Sequence, residues 1–299
     1  MYFRRALVVL LIALWPTPAA AREVLPVSVA VLDVGGSPPA ARVAERLAKM
    51  LASVNRTDTK LSVLDRGLSR AAARGVGYAG SLNMTLAEAR SLGAAVGCDF
   101  FLTGDVQTVR RSSAARPVYY EAYASVFVVS AHTGRLVLWD RPAAEADSVE
   151  GAETALLAAL DAGAAGRYVK AVAEAAAREE RERFATDEGV TAAVIDLSTD
   201  EGAAANSDLR EPAPFRRLRP AYTDAAARAE AEATVDAIVE IGADGEVADV
   251  RVVRWAGFGL DEEVVATVRR MHFRPAQREG EPVPVRVLLR YNFRKPPKS

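Results

Sequence analysis

The chain has little of the chemistry that enzymes and metal sites use. Its 299 residues include one cysteine, Cys98, and two histidines, His132 and His272. A single cysteine excludes an intramolecular disulfide, and neither histidine has a further histidine or cysteine at the spacing of zinc ligands. No G-x-S-x-G motif is present to supply an activated serine. The sequence therefore predicts a protein that is not an enzyme and that uses neither a metal nor a cofactor.

An excess of charge of one sign is also missing. The 38 lysines and arginines balance 39 acidic residues, and the formal net charge is −1. Because nucleic-acid binding depends on a strongly basic face, the sequence predicts no nucleic-acid partner. The stretch Asp33–Gly36 follows a strand-like run but lacks both the Walker pattern and G-x-G-x-x-G. It predicts a tight turn and not a phosphate-binding loop.

Long apolar runs are absent too, and the clearest short one opens the chain. Two arginines precede the ten apolar residues Ala6–Trp15, and the small-residue segment TPAAA (17–21) follows them. A membrane span needs about 20 apolar residues. Residues 1–21 are therefore predicted to be a cleaved signal peptide, with the mature chain starting near Arg22. An uncleaved membrane anchor is the alternative.

Residues 22–184 are predicted to form an α/β domain with a mixed sheet. Helix-like runs separate the early strands, and a T-x-x-E capping box marks a helix start at Thr85. Three strand-like runs (100–109, 118–130 and 135–141) and a long helix over 149–184 complete the domain.

Aromatic side chains in these and later strands have two interpretations. Trp139, Trp255 and the pair Tyr119-Tyr120 are predicted to belong to a core or a half-buried sheet face. A ligand cleft lined by these rings is the alternative.

An acidic segment separates this domain from the C-terminal one. Residues 185–215 are predicted to be a flexible linker because acids, glycine, serine and alanine fill most of them. Within that segment VTAAVIDL (190–197) is an apolar island, which either docks as an extra strand or stays in the linker. Residues 216–299 are predicted to form a small α+β domain in the order helix, β-hairpin, helix, strand. Asp244-Gly245 marks the hairpin turn.

The last strand alternates with a period of two. Apolar side chains recur from Val285 to Phe293, while Arg286 and Arg290 point the other way. Two prolines at the entrance, Pro282 and Pro284, favour a sheet edge or a strand start over a sheet centre. The arginines either discourage aggregation or orient an acidic extended partner. In the second case Arg290→Glu should weaken binding of the acidic partner and leave the stability of the protein nearly unchanged.

Several words of the C-terminal domain resemble the TonB energy-transducer family over about residues 216–294. The matching positions are Pro220, Tyr222, Gly245, Leu260, Asp261, Phe273, Pro275 and Gly280. Thr223 departs from the proline that is usual in the family. The resemblance implies that an extended segment of an outer-membrane receptor adds as a strand at Val285, Arg286, Val287, Leu288, Leu289 and Arg290.

The N-terminal domain resembles the N-terminal domain of TolB and the curli-secretion-type envelope proteins. The matching words VAVLDV, LSVLDR, ARSLGAAVGCDFFLTGDV and VFVVSAHTGRLV lie within about residues 24–175. This resemblance implies a periplasmic binding or assembly domain. Together the two resemblances predict a periplasmic adaptor for an envelope protein, such as a TonB-dependent outer-membrane receptor. A membrane-anchored TonB-type energy transducer that supports transport across the outer membrane is the alternative.

Overall fold

The computed structural model describes residues 26–54, 61–184 and 194–295. The N-terminal part is built on a six-stranded sheet of order β2-β1-β3-β4-β5, in which β6 also pairs with β4. Its strands are β1 (Val27–Val31), β2 (Leu61–Val63), β3 (Phe100–Arg111), β4 (Tyr119–Ser130), β5 (Leu136–Asp140) and β6 (Ala143–Ala146). The first three strands pair in parallel and the others are antiparallel. The predicted mixed α/β domain is confirmed.

Helices cover both faces of this sheet. They are α1 (Ala40–Ser53), α2 (Arg66–Gly75), α3 (Leu86–Val96), α4 (Val149–Ala159) and α5 (Ala162–Phe184). Apolar residues of α1, α4 and α5 share one core, while those of α2 and α3 belong to another on the opposite face. The predicted capping box is confirmed, since Glu88 N–H donates to Thr85 Oγ1 and Thr85 N–H donates to Glu88 Oε2.

The predicted single helix over 149–184 was wrong in one respect. It breaks at Leu160 and Asp161, and the Asp161 carboxylate accepts the N–H of Ala164 as an N-cap does. A competing cap signal inside an alanine-rich run therefore divides the segment into two helices. None of the helices in the described residues is long and apolar enough to cross a membrane.

The C-terminal part contains a four-stranded sheet of order β10-β9-β14-β7. These strands are β7 (Ile195–Asp196), β9 (Ala233–Ile241), β10 (Val247–Arg254) and β14 (Val285–Phe293). Two small ribbons pair β8 (Ala213–Pro214) with β11 (Phe273–Arg274) and β12 (Ala276–Arg278) with β13 (Glu281–Val283). The helices are α6 (Asp200–Ala205), α7 (Asp224–Ala229) and α8 (Leu260–Val268). Helix α7, the β9–β10 hairpin, α8 and β14 follow in the predicted order.

The flexible linker expected up to residue 215 is replaced by ordered structure over 194–215. Strand β7 pairs in parallel with the start of β14, and β8 pairs with β11. The physical reason is apolar burial: Ile195 and Leu197 pack against the C-terminal core, and Leu209 is buried. The apolar island thus docks as a strand at residues 195–196. Residues 185–193 lie outside the described residues.

The two sheets share one aromatic core. Phe127 on β4 lies 5.7 Å from the rings of both Trp255 and Phe258, and Trp139 lies 5.1 Å from Phe258. Trp255 is 2% exposed. The loop after β10 therefore inserts into the N-terminal half. Trp139 and Trp255 pack in this core, as the first interpretation of the aromatics predicts, and both also border a groove beside it.

Hydrogen bonds fix the position of this inserted loop. The Asn83 side chain donates to the carbonyls of Thr234 (2.8 Å) and Trp255 (2.6 Å) and accepts the N–H of Thr234. The indole N–H of Trp255 donates to the carbonyl of Gly134. Because these groups are buried or half-buried, breaking one bond would leave an unsatisfied partner.

Gly257→Ala should disrupt the shared aromatic core. Gly257 has φ +73°, and a Cβ there would lie 2.5 Å from the Phe127 ring. We expect a loss of about 1–3 kcal/mol in the free energy of unfolding, measured by urea denaturation. Gly36→Ala is the control, because a Cβ at Gly36 meets nothing within 4 Å. Equal unfolding midpoints for the two variants would contradict this account of the interface.

Candidate functional site: the open edge of the last strand

Strand β14 is paired along its whole length on one side only. On that side it follows β9 from Val285 opposite Ile241 to Phe293 opposite Ala233. On the other side β7 pairs with Val285 and Arg286 alone. Among the described residues no strand pairs with this second side beyond Arg286. An open strand edge therefore starts at Val287.

The backbone direction along this edge follows from the bonds to β7. Leu197 N–H donates to the carbonyl of Arg286 at 2.8 Å, and Ile195 N–H donates to the carbonyl of Pro284. In an antiparallel ladder alternate residues direct their backbone groups to the same side. The N–H and C=O groups of Leu288, Arg290 and Asn292 therefore face outward, and those of Val287 face β9.

A groove of about 320 Å³ runs beside this edge. Its other wall is the segment 211–218, which includes Pro214, Arg217 and Leu218. Leu288, which lines the groove, is 38% exposed, so a large apolar side chain is accessible there. When an extended segment adds as a strand, its backbone hydrogen bonds give affinity and the pockets for its side chains give selectivity.

The two arginines of β14 are already paired within their own sheet. Arg290 donates to both carboxylate oxygens of Asp236 at 2.7 and 3.0 Å, and Arg254 donates to the same carboxylate. Arg286 donates to Glu240 through Nε at 3.0 Å and lies 3.7 Å from Asp196. The interpretation that they wait for an acidic partner was wrong, because their cross-strand neighbours on β9 are acids.

Asp236 is the buried member of this network. Burial raises the pKa of its carboxyl, but Arg290 and Arg254 together lower the pKa by more and hold it below its usual range. Asp236 is therefore charged at neutral pH, and its two arginine partners stabilise that charge.

The hydrogen bonds of Thr223 give a reason for threonine at a position where the TonB family usually has proline. Its hydroxyl accepts the N–H of Ala226 as the N-cap of α7 and donates to the carbonyl of Phe258 at 2.6 Å. The neighbouring Tyr222 donates its hydroxyl to the carbonyl of Ala231. The threonine hydroxyl therefore both caps α7 and bonds to the inserted loop, which a proline at this position could not do. Pro220 is half-buried just before this pair.

The remaining motif residues build the frame around β14. Gly245 has φ +84°, and a Cβ there would lie 2.0 Å from the carbonyl oxygen of Phe273 and near Pro275. Glu279 and Gly280 both have positive φ and form the two-residue turn between β12 and β13. Leu260 is fully buried. Of these residues, Phe273 lines the groove beside the open edge, and Gly245, Leu260, Pro275 and Gly280 do not.

Asp261 is the functional residue whose role the sequence did not reveal. Its carboxylate accepts the N–H of Ala256 (2.9 Å) and of Gly257 (2.7 Å), so it ties the inserted loop to α8. Burial raises its pKa to about 7, Glu262 adds to the rise, and the two N–H groups oppose it. Its position inside a motif was the only signal in the sequence.

The other candidate side chains are separate from one another. His132 Nε2 lies 2.8 Å from Asp99, and His272 Nδ1 lies 2.8 Å from Glu246. Cys98 is buried, and burial raises the pKa of its thiol to about 12. Among the described residues no three histidine, cysteine or acidic side chains converge as metal ligands would.

The comparison with known protein families concerns the C-terminal part of the chain. Residues 219–294 match the family model of the Gram-negative bacterial TonB protein C-terminal. That segment has the sequence pattern of a TonB C-terminal domain. Such a domain fits an envelope-associated binding role. No curated protein is a match for the chain.

Three solved structures are similar to parts of the chain. The TonB C-terminal domain of Pseudomonas aeruginosa is 21% identical, covers 35% of this chain and 96% of its own, and has a TM-score of 0.26. The LpoB C-terminal domain of Salmonella enterica is 20% identical over 41% and 86%, with a TM-score of 0.28. Lipoprotein GNA1162 of Neisseria meningitidis is 16% identical over 51% and 99%, with a TM-score of 0.28. The resemblance of residues 24–175 to TolB and curli-secretion-type proteins stays a prediction.

Asp261→Asn should change how stability depends on pH. A raised pKa means that the folded chain keeps a proton which the unfolded chain releases, so this group's contribution falls as pH rises from about 4 to about 7. Asparagine does not titrate. The stability advantage of the wild type over Asp261→Asn should therefore shrink by an amount on the order of 4 kcal/mol across that window. Urea denaturation at each pH measures it, and a constant difference would refute the role of burial.

Arg290→Glu should lower the urea unfolding midpoint. The substitution leaves buried Asp236 with Arg254 alone and adds a second carboxylate beside it. This corrects the sequence-based expectation of nearly unchanged stability. Arg294→Glu is the control, since Arg294 is exposed and forms no ion pair among the described residues. An unchanged unfolding midpoint for Arg290→Glu would contradict this prediction, because it would show that Arg254 alone stabilises the charge of Asp236.

Proposed function

We propose that the protein is a non-enzymatic adaptor of the periplasm. Its TonB C-terminal domain captures an extended segment of an outer-membrane receptor or another envelope protein by strand addition. The observation that carries this proposal is the unpaired side of β14 beyond Arg286. The segment pairs with the outward N–H and C=O groups of Leu288 and Arg290, within the edge expected at Val285–Arg290.

Strand β7 sets where the added strand begins. It already occupies the outer side of Val285 and Arg286, so an incoming segment meets the edge at Val287 or later. An edge blocked at one end restricts the register of whatever pairs with it. The added segment therefore pairs with β14 from Val287 onward and cannot extend over Val285 and Arg286.

Selectivity comes from the groove wall and not from the arginines of β14. Arg286 and Arg290 are bound to Glu240 and Asp236. On the opposite wall, Arg217 and Leu218 of the segment FRRLR (215–219) line the groove, and Arg217 is exposed. A partner segment with apolar side chains and nearby acids complements this wall.

Proline substitutions at two adjacent positions test strand addition. Leu288→Pro removes an outward N–H and should abolish partner binding while the fold is kept, because proline is tolerated on an edge. Val287→Pro removes an N–H that faces β9, so it should destabilise the domain itself. The partner segment is first mapped by photocrosslinking from position 288 in the native host. A synthetic peptide of that segment is then titrated, and amide exchange is measured by NMR.

The amide exchange pattern decides the outcome. The peptide should slow exchange at Leu288, Arg290 and Asn292 and leave the neighbouring amides, which already bond to β9, unchanged. Uniform slowing, or none, would contradict strand addition at this edge. Unchanged binding by the folded Leu288→Pro variant would do the same.

Cell fractionation and intact mass separate the adaptor from the energy-transducer alternative. We expect a soluble periplasmic species that starts near Arg22, because a ten-residue apolar core is typical of a cleaved signal. A membrane-bound species that retains residues 1–21 would favour the transducer.

A further inference from the structure

A second groove lies between the two halves of the molecule. It has a volume of about 530 Å³ and is bounded by β5 of the N-terminal sheet and by β10 and α8 of the C-terminal part. Its lining is mostly apolar and includes Leu136, Leu138, Val250, Val252, Val265 and Ala266. Pockets at domain interfaces with this character are frequent binding sites.

Two strand edges form the walls of this groove. Strand β5 ends the order of the N-terminal sheet, and β10 ends that of the C-terminal sheet. Among the described residues no strand pairs with the outer side of either one, and the outer side of β10 has a single isolated bridge, between Arg254 and Thr85 at its end. Consecutive residues 135–139 and 250–252 line the groove, although side chains alternate between the faces of a strand. The backbone edges themselves therefore face the groove.

The rim of the groove carries cationic side chains that form no ion pair among the described residues. Arg251 and Arg269 are exposed, and neither has an ion-pair partner among the described residues. The third cation, Arg135, is bound to Glu182. Glu262 is the exposed acid of the lining, so the rim carries more positive than negative charge.

We propose that this groove binds an extended protein segment with alternating apolar side chains and a flanking carboxylate. The segment adds as a strand to the open edge of β5. Its apolar side chains pack against Val265 and Ala266 of α8, and its carboxylate meets Arg251 or Arg269. Two open edges favour a peptide over a compact small molecule, which would leave the backbone groups of both walls unused. This site is distinct from the β14 edge and involves the N-terminal half.

Tryptophan fluorescence gives a direct readout of this groove. Trp139 and Trp255 both line it, and the third tryptophan of the chain is Trp15. The probe is an acetylated nine-residue peptide of alternating valine and threonine with aspartate at each end. Its control has lysine at each end. The aspartate peptide should shift the emission saturably and bind about fivefold tighter or more than the lysine peptide, as expected for rim charges.

Variants at exposed positions locate the binding. Ala266→Phe fills the groove and should remove the emission change, whereas Ala177→Phe on α5, a matched exposed alanine, should not. Leu288→Pro should also keep the response, which separates this site from the β14 edge. Arg251→Glu should reverse the preference between the two peptides. Because Arg251 is exposed, this variant tests the proposal even if Ala266→Phe fails to fold.

Several outcomes would overturn the proposal. These are the absence of a saturable change with either peptide, equal binding of both, or a full response in the folded Ala266→Phe variant. A change that follows protein concentration alone, with dimers in analytical ultracentrifugation, would assign the groove to a second copy of the chain. An apolar dye that binds there and is not displaced by the peptide would assign it to small molecules.

Discussion

The contact between the Asp261 carboxylate and the N–H groups of Ala256 and Gly257 holds the whole arrangement together. It fixes the loop that carries Trp255 and Phe258 to the first turn of α8. Those rings then pack on Phe127 and Trp139 of the N-terminal sheet. One buried acid therefore connects the helix of one half with the sheet of the other. A negative group at a helix start is also favoured by the helix dipole, which opposes the cost of burial.

Much of the fold could be predicted because it depends on local signals. The capping box at Thr85 and the Asp244-Gly245 turn each need only a few neighbouring residues. The shared core could not be predicted, because Trp255 and Phe127 are distant in sequence and the glycine that lets them meet, Gly257, is locally only a loop residue. The acidic composition of residues 194–215 predicted a flexible segment. Instead, Ile195 and Leu197 provide apolar surface that packs against the C-terminal core.

The candidate site was predictable in outline and not in detail. The period of two placed Arg286 and Arg290 on one face of the last strand, which the ladder to β9 agrees with. Their partners, Glu240 and Asp236, depend on register across a hairpin and more than 40 residues of chain. Register also decides which amides face outward. A sequence pattern gives the face of a strand but not the free side of its backbone.

The order β10-β9-β14-β7 gives the C-terminal sheet two outer sides with different surroundings. The β10 side faces the N-terminal half across the interdomain groove, and the β14 side faces the segment 211–218. Because β9 lies between them, a segment bound at one side does not occupy the backbone groups of the other. The proposed segment at β14 and the proposed segment at β5, in the groove beside β10, therefore use separate backbone groups and can be bound at once. That geometry suits an adaptor, which must connect two components without releasing either.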